Sequence, residues 1–499
     1  MEAKTPISLV MAIADHPWTK ATKDSAAVRI AMTVAAKGKH DGVLREVVKE
    51  EGLDTDAPVV EFTERAGRVN ADLTVGIDIT STFSLTSNKG LAHKGFQLNG
   101  DGFVLKPSEA ALLGEKIGKF TKRYFIGRDI NQYDRGLCVL DFHDHSEEYI
   151  RKELPRAYQL LLEKVRPIRS SNPIPYRRDN WWLFGRPGTD LRDATSSLER
   201  IIITARQGRH RIFSLALADS IPESTVVVIT VSDNFIFGVL HSKLHEVFSL
   251  KAGGWLGAGN DSRYFHTKTF EPFPFPLCDN ALKTRIRTVA EELDAFRKAR
   301  QEEHPGLTLT QMYNVLEKLK AGGALTPDEE RIKEQGLILI LKELHEKLDA
   351  LVFEAYGWPQ GLSDEDILAR LVALNAERAA EEERGIVHWL RPEYQIPRFG
   401  SGADKQAEAE AGAQESADLV VLEREQKRPF PASAIEQAAE VFAALAAARG
   451  PVDAATIASA YRQGRKAEPK IAAILAAAAR IGEVASLDDG RLFAFRRAA

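Results

Sequence analysis

The residues most able to do chemistry lie in "SNPIPYRRDNWWLFG", which runs from 171 to 185. An Asn side chain and a prolyl carbonyl can both accept hydrogen bonds from an exocyclic amine, and an aromatic ring can stack on a base flipped out of a duplex. Asn-Pro-Pro-Tyr is the motif that combines these groups for amine methylation. Here Asn172-Pro-Ile-Pro-Tyr176 carries one extra residue. The inserted Ile174 displaces the second prolyl carbonyl from the Asn, so the sequence favours a surface loop over a catalytic loop, and no catalytic residue is assigned.

A second candidate is "TARQGRHRIF" (204–213), which gathers Arg206, Arg209, His210 and Arg211. Guanidinium groups at this density suit phosphate clamping or guanine reading; a strand end laced with salt bridges is the structural alternative. The chain's net charge is only −4, yet residues 163–211 hold 11 Arg or Lys against 5 Asp or Glu. A local basic excess can bind phosphate on a protein that is acidic overall. "GWLGAGNDS" (254–262) has the glycines of a phosphate loop but no helix after it, so it reads as a turn. "DFHDHSEE" (141–148) has metal-ligand residue types on a strand-to-helix connection, where acids at a helix start explain themselves, and no metal is expected.

The elements that position these residues follow from periodicity and turn chemistry. Residues 7–14 and 26–36 read as buried strands, and two strands alone make no stable sheet. Residues 108–125 have helical spacing, and 147–165 read as one helix. Residues 166–276 read as strand-rich, with "WWLFG", "RIIITA", "TVVVITV" and "FIFGVLHS" as strands. On a strand, Trp181 and Trp182 would face opposite sides. The prolines of "FEPFPFP" make an extended stop. Residues 280–390 form a helical layer, including one long helix capped by Thr326 with Pro327 in its first turn. Residues 399–428 form a linker. Three helices (432–449, 453–462, 468–481) and a hairpin then give a winged-helix-like tail, whose Ala-rich third helix is a poor reader of bases.

With 499 residues and 44% hydrophobic content, the chain can build several cores. No apolar run is long enough for a membrane span. The two cysteines, Cys138 and Cys278, exclude a cysteine-based zinc cluster and suggest a reducing, cytoplasmic setting.

Several stretches together, "AAVRIAMTVA", "GRDI", "RDNWWLFG", "RHRIFSLA", "GVLHSKLHEVFSL", "GAGNDSRYFHTKTFEPFPFP" and "LDALVFEAYGWP", resemble the C-terminal half of the MmeI-like adenine-specific DNA methyltransferases of type IIG restriction–modification systems. The resemblance covers roughly residues 7–398. It implies an α+β chain: a remnant of a methyltransferase sheet (1–75), a target-recognition domain (76–279) and a helical domain (280–398). It implies sequence-specific recognition of double-stranded DNA, with Arg128, Arg177, Arg178, Arg206, Arg209, His210, Arg211, Asn260, Arg263 and Lys268 as candidate contacts. The family's glycine-rich cofactor loop and Asn-Pro-Pro-Tyr motif would precede residue 7. The chain is therefore expected not to bind S-adenosylmethionine alone, which a separately encoded catalytic chain or a truncated gene would explain. A stand-alone DNA-binding specificity subunit or remnant is the alternative.

Overall fold

The computed structural model describes residues 6–18, 29–53, 55, 58–256, 261–406, 429–447, 452–459, 461–481, 484–487 and 492–495. They fall in two compact units, Met1–Phe399 and Gly400–Ala499.

At the start of the chain, β1 (Ile7–Pro17), β2 (Arg29–Lys37), β3 (Gly42–Glu51) and β4 (Val59–Gly67) form one sheet in the order β2-β1-β3-β4. The two expected strands are present, but β2 is exposed over most of its length rather than buried, and they are not alone. β1 pairs antiparallel with β2 and parallel with β3, and β3 pairs antiparallel with β4. The partners missed in the sequence are "GVLREVVKEE" and "VVEFTERAG", whose charged residues sit on the exposed face. The core under this sheet is small, centred on Ala12, Leu44 and Val69.

The larger core is built on a four-stranded antiparallel sheet in the order β11-β9-β13-β5. Its strands are β5 (Ala92–Lys94), β9 (Arg200–Ala205), β11 (Phe213–Leu217) and β13 (Val226–Ile229). β9 and β13 are inner strands and almost wholly buried, which explains their runs of Ile and Val. Beside it, β6 (Val104–Leu105), β7 (Thr121–Phe125), β8 (Cys138–Leu140) and β12 (Ile221–Pro222) form a second sheet. A three-stranded ribbon joins β10 (Gln207–Gly208), β14 (Trp255–Leu256) and β15 (Asp261–Arg263), with β15 in the middle.

Several expected elements are corrected. "FIFGVLHS" is not a strand but the helix Asn234–His241, capped by Asp233 and buried all round. A helix buried on every side shows no amphipathic period, so its sequence looks like a strand. Residues 108–125 split into the short helix Pro107–Ala111, a 3-10 stretch Glu115–Phe120 and β7. Residues 147–165 break at Pro155 into Glu147–Glu153 and Pro155–Lys164. "WWLFG" is a set of turns, with Trp181 buried and Trp182 half-buried. The long helix after Thr326 is two, Pro327–Gln335 and Ile338–Tyr356, because Leu337 adopts a left-handed φ of 44°. The Thr326 cap itself is as expected: its hydroxyl accepts from the Glu329 amide.

The helices Asn280–Glu303, Leu309–Lys320, Ile338–Tyr356 and Asp364–Glu383 make the helical layer. It meets the sheet through a buried polar joint. Arg297, 2% exposed, donates to the Phe213 carbonyl at 2.8 Å and to the Tyr313 hydroxyl at 3.0 Å, and pairs with Asp294 at 3.2 Å. His241 Nε2 reaches the same carbonyl at 2.9 Å, and His345 lies 2.9 Å from the Tyr313 hydroxyl. After the layer, Arg391 binds the carbonyls of Ala194 and Thr230, and Gln395 binds those of Ser87 and Lys89.

In the second unit, the helices Ala434–Ala447, Ala454–Ser459 and Glu468–Ile481 precede a hairpin of β16 (Val484–Leu487) and β17 (Leu492–Phe495). They share a core of Val441, Leu445, Ile457, Ile471, Leu475 and Phe493. Most of the expected linker lies outside the described residues. Among the described residues, no helix is long and apolar enough to cross a membrane.

The buried imidazoles make stability pH-dependent. Burial and the nearby Arg211 push His245 down to about 3, and burial with Lys320 and Arg297 does the same to His345. Both stay neutral in the fold but protonate in the unfolded chain below about pH 6.5. Their contribution is thus present above pH 6.5 and is lost as pH falls toward 3. Asp349, raised by burial to about 6, opposes this between its ordinary range and pH 6. The urea midpoint should fall between pH 7 and pH 5, and His245→Gln should flatten that fall. An unchanged midpoint would contradict neutral buried imidazoles.

Candidate nucleic-acid interface

The expected basic cluster separates into residues that face out and residues that hold the others in place. Arg211 is the main correction. It is only 6% exposed, so it does not lie on the surface. Its Nη1 donates to the Ala205 carbonyl at 2.7 Å, and its Nη2 donates to Ser262 Oγ at 2.8 Å and to the Ser262 carbonyl at 3.3 Å. The guanidinium also lies over the Tyr264 ring, 4.9 Å from its centroid. Burial pushes its pKa down to about 10. Arg211 thereby joins the end of β9 to β15.

Those two arms carry Arg206 and Arg263. In the ribbon, Gln207 is paired with Arg263, and the Tyr264 amide donates to the Arg206 carbonyl at 2.9 Å. Both guanidinium groups lie over the ring of Phe265, Arg263 at 4.7 Å and Arg206 at 5.9 Å from the centroid. Arg206 Nη1 also donates to the Ser224 carbonyl at 3.3 Å. Neither arginine forms an ion pair among the described residues. Two cations on one aromatic ring, with no carboxylate to neutralise them, leave donor groups available to an incoming anion or base edge.

Arg128 joins this face. The helix Gly127–Asn131 is held against it because the Gly127 amide donates to Thr225 Oγ1 at 3.0 Å, while the Arg206 amide donates to the Thr225 carbonyl. Arg128 is exposed, and its Nε donates to Gln132, the residue that ends its own helix. Lys268 is exposed in the π-helical turn His266–Phe270, which replaces the extended backbone expected there.

Other candidates point elsewhere. Arg209 pairs loosely with Glu317 at 3.7 Å, and His210 Nε2 lies 2.7 Å from Asn314 Oδ1, so both turn toward the helix Leu309–Lys320. Arg177 folds back onto the Gly185 carbonyl at 3.2 Å, and Arg178 pairs with its neighbour Asp179 at 3.0 Å. Asn260 lies outside the described residues. Asn172 closes its own turn by accepting from the Ile174 amide at 3.0 Å, and Pro175 begins the short helix Pro175–Asp179. In the acidic stretch, Asp141 is bound by Arg192 through both oxygens, at 2.7 and 2.9 Å.

Sequence reading missed two members of the face, Lys94 on β5 and Arg186, both exposed. They lie far apart in the chain; Arg186 falls within the basic 163–211 segment but Lys94 lies outside it.

The division of labour has a direct test in stability. Arg211→Met removes hydrogen bonds from a buried guanidinium and should cost about 2–4 kcal/mol. Arg263→Ala loses only a ring contact and should cost less than about 1 kcal/mol. Urea unfolding of both variants checks this; equal small losses would return Arg211 to the surface.

No family model matches the chain. A stretch of 180 residues is 28% identical to DNA methyltransferase A of Bacillus subtilis (strain 168), covering 36% of this chain and 18% of that protein. The fold is similar to that of the type IIL restriction-modification enzyme MmeI, solved in complex with DNA, with a TM-score of 0.54 and 16% identity over 75% of this chain. The chain spans less than half the length of MmeI, 46%, and a smaller part of the methyltransferase. The resemblance read from the sequence is borne out in these terms: the chain is similar in fold to the type IIL restriction-modification enzyme MmeI, and over part of its sequence to a DNA methyltransferase.

Proposed function

We propose that this chain recognises duplex DNA for an adenine-specific methyltransferase of a restriction–modification system, through the face formed by Arg206, Arg263, Phe265 and Arg128. The observation that carries the reading is the pair of arginines stacked on Phe265 without a carboxylate partner among the described residues. The similarity in fold to an enzyme solved with DNA supports it. Arg206 is anchored beside a strand end and Arg263 sits within the ribbon, so both present their donors from rigid backbone. A guanidinium can bind a phosphate or the paired acceptors of guanine with the same fork. Phe265 limits the rotamers of both, which lowers the entropy lost on binding.

In this reading the DNA face has no part in methyl transfer or in holding S-adenosylmethionine. Asn172 has no part in methyl transfer either, because its side chain already closes a local turn. The Ala-rich helix Glu468–Ile481 carries few cations, so the second unit is assigned to protein contact or stabilisation rather than to base reading.

The test is binding of the chain to duplex DNA over a salt series. An arginine that neutralises a phosphate lowers the salt slope by about one unit when replaced by Ala, on every sequence alike. An arginine that reads guanine instead costs about 1–3 kcal/mol, mainly on the recognised site. Arg206→Ala should behave in the first way and Arg263→Ala in the second. If the parent shows no salt-dependent binding, or if both variants bind as the parent does, the face does not contact DNA.

A further inference from the structure

On the same face, a recess of about 380 Å³ opens between β5 and residues 186–190, which lead into the helix Thr189–Thr195. Its lining includes His93, Lys94, Gln97, Arg186, Asp190 and His266. Neither Lys94 nor Arg186 forms an ion pair among the described residues. Burial and then the field of Arg206 push the Lys94 ammonium below its ordinary range; Glu223 opposes this and Arg186 adds to it. Like charges are thus crowded at some cost. Glu223, the acid that acts on Lys94, is already engaged: its oxygens accept from the Ser224 hydroxyl and from the Thr225 amide. Asp190 is the carboxylate in the wall, against two full cations in the recess and Arg206 beside it.

We infer that this recess seats one backbone phosphate of the bound duplex, held by Lys94 and Arg186. The inference rests on the DNA-binding reading and adds two contacts to it. Lysine and arginine offer only donors, which suits the acceptor oxygens of a phosphate. Most protein–DNA hydrogen bonds go to phosphate and sugar, and they set the register from which the bases are read.

The recess is preorganised by backbone contacts. Lys94 lies opposite Val227 in the sheet. The next residue, Gly95, packs so tightly that a Cβ there would fall 2.2 Å from the Glu223 carbonyl oxygen. The Gly95 amide donates to the Val226 carbonyl at 3.0 Å, and the Phe96 amide to the Pro222 carbonyl at 2.8 Å. On the other side, the Gly185 and Arg186 amides donate to the carbonyls of Leu98 and Gln97, at 3.0 and 3.3 Å. Both cations therefore project from backbone that is locked together.

The experiment compares the full chain with Lys94→Ala, Arg186→Ala and the double variant, on a recognised and an unrelated duplex over a salt series. Each single variant should lower the salt slope by about one unit and weaken both duplexes by the same factor. Arg186→Lys should keep the slope. A scan of single methylphosphonate linkages should find one position whose neutralisation weakens the parent and leaves the double variant unaffected. Urea midpoints should match the parent, since both side chains are exposed. If the variants bind like the parent while Arg206→Ala still lowers the slope, the phosphate seat is wrong and the DNA-binding face stands. If the parent does not bind DNA, both fail. If inorganic phosphate binds the parent but not the double variant, and DNA binding is equal in both, the recess takes free phosphate and the inference is overturned.

Discussion

Arg211 bonds the Ala205 carbonyl on one side and Ser262 on the other, and the placement of the outward-facing arginines depends on that clamp. Arg206 and Arg263 each follow one of the clamped residues, so both are fixed within one backbone step of it. A buried guanidinium costs much desolvation, and several directed hydrogen bonds and a ring contact offset it. Its Nε has no protein partner, which marks the clamp as only partly satisfied. Its yield is geometry: two arms of the ribbon held at a set spacing.

A second buried arginine does similar work one layer deeper. Arg297 and His241 converge on the Phe213 carbonyl, and Lys298 caps the Leu215 carbonyl at 3.0 Å. These carbonyls lie on the open edge of β11, where a free row of backbone groups would invite another strand. Side chains of the helix Asn280–Glu303 and of the helix Asn234–His241 occupy that edge. The sheet is thereby attached to the helical layer and closed to further pairing. At the other edge of the sheet, β5 carries the exposed Lys94.

Much of the framework was legible in the sequence, and the reasons for the misses are physical. The inner strands β9 and β13 declare themselves by β-branched runs, and the Thr326 cap by its own chemistry. The helix Asn234–His241 was hidden because it has no polar face; only Asp233 and Ser242, which cap it and its successor, mark it. β3 and β4 were hidden by exposed charges in a sheet with little core. Charge alone could not separate Arg211 from Arg206, since burial is decided by Ser262 and Tyr264, distant in sequence. Arg263 and Lys268 were named through resemblance, whereas Lys94 and Arg186 become neighbours only when β5 and the 185–186 turn bond through Gln97 and Leu98.

Amide hydrogen exchange of the full chain with and without duplex DNA tests most directly whether the Arg206–Phe265–Arg263 stack faces DNA. DNA should slow exchange at residues 205–208 and 261–266, with the nearby 92–97 and 186–190 segments, and leave the helices Leu309–Lys320 and Ile338–Tyr356 unchanged. Protection confined to those helices or to the second unit, with none on the ribbon, would contradict it.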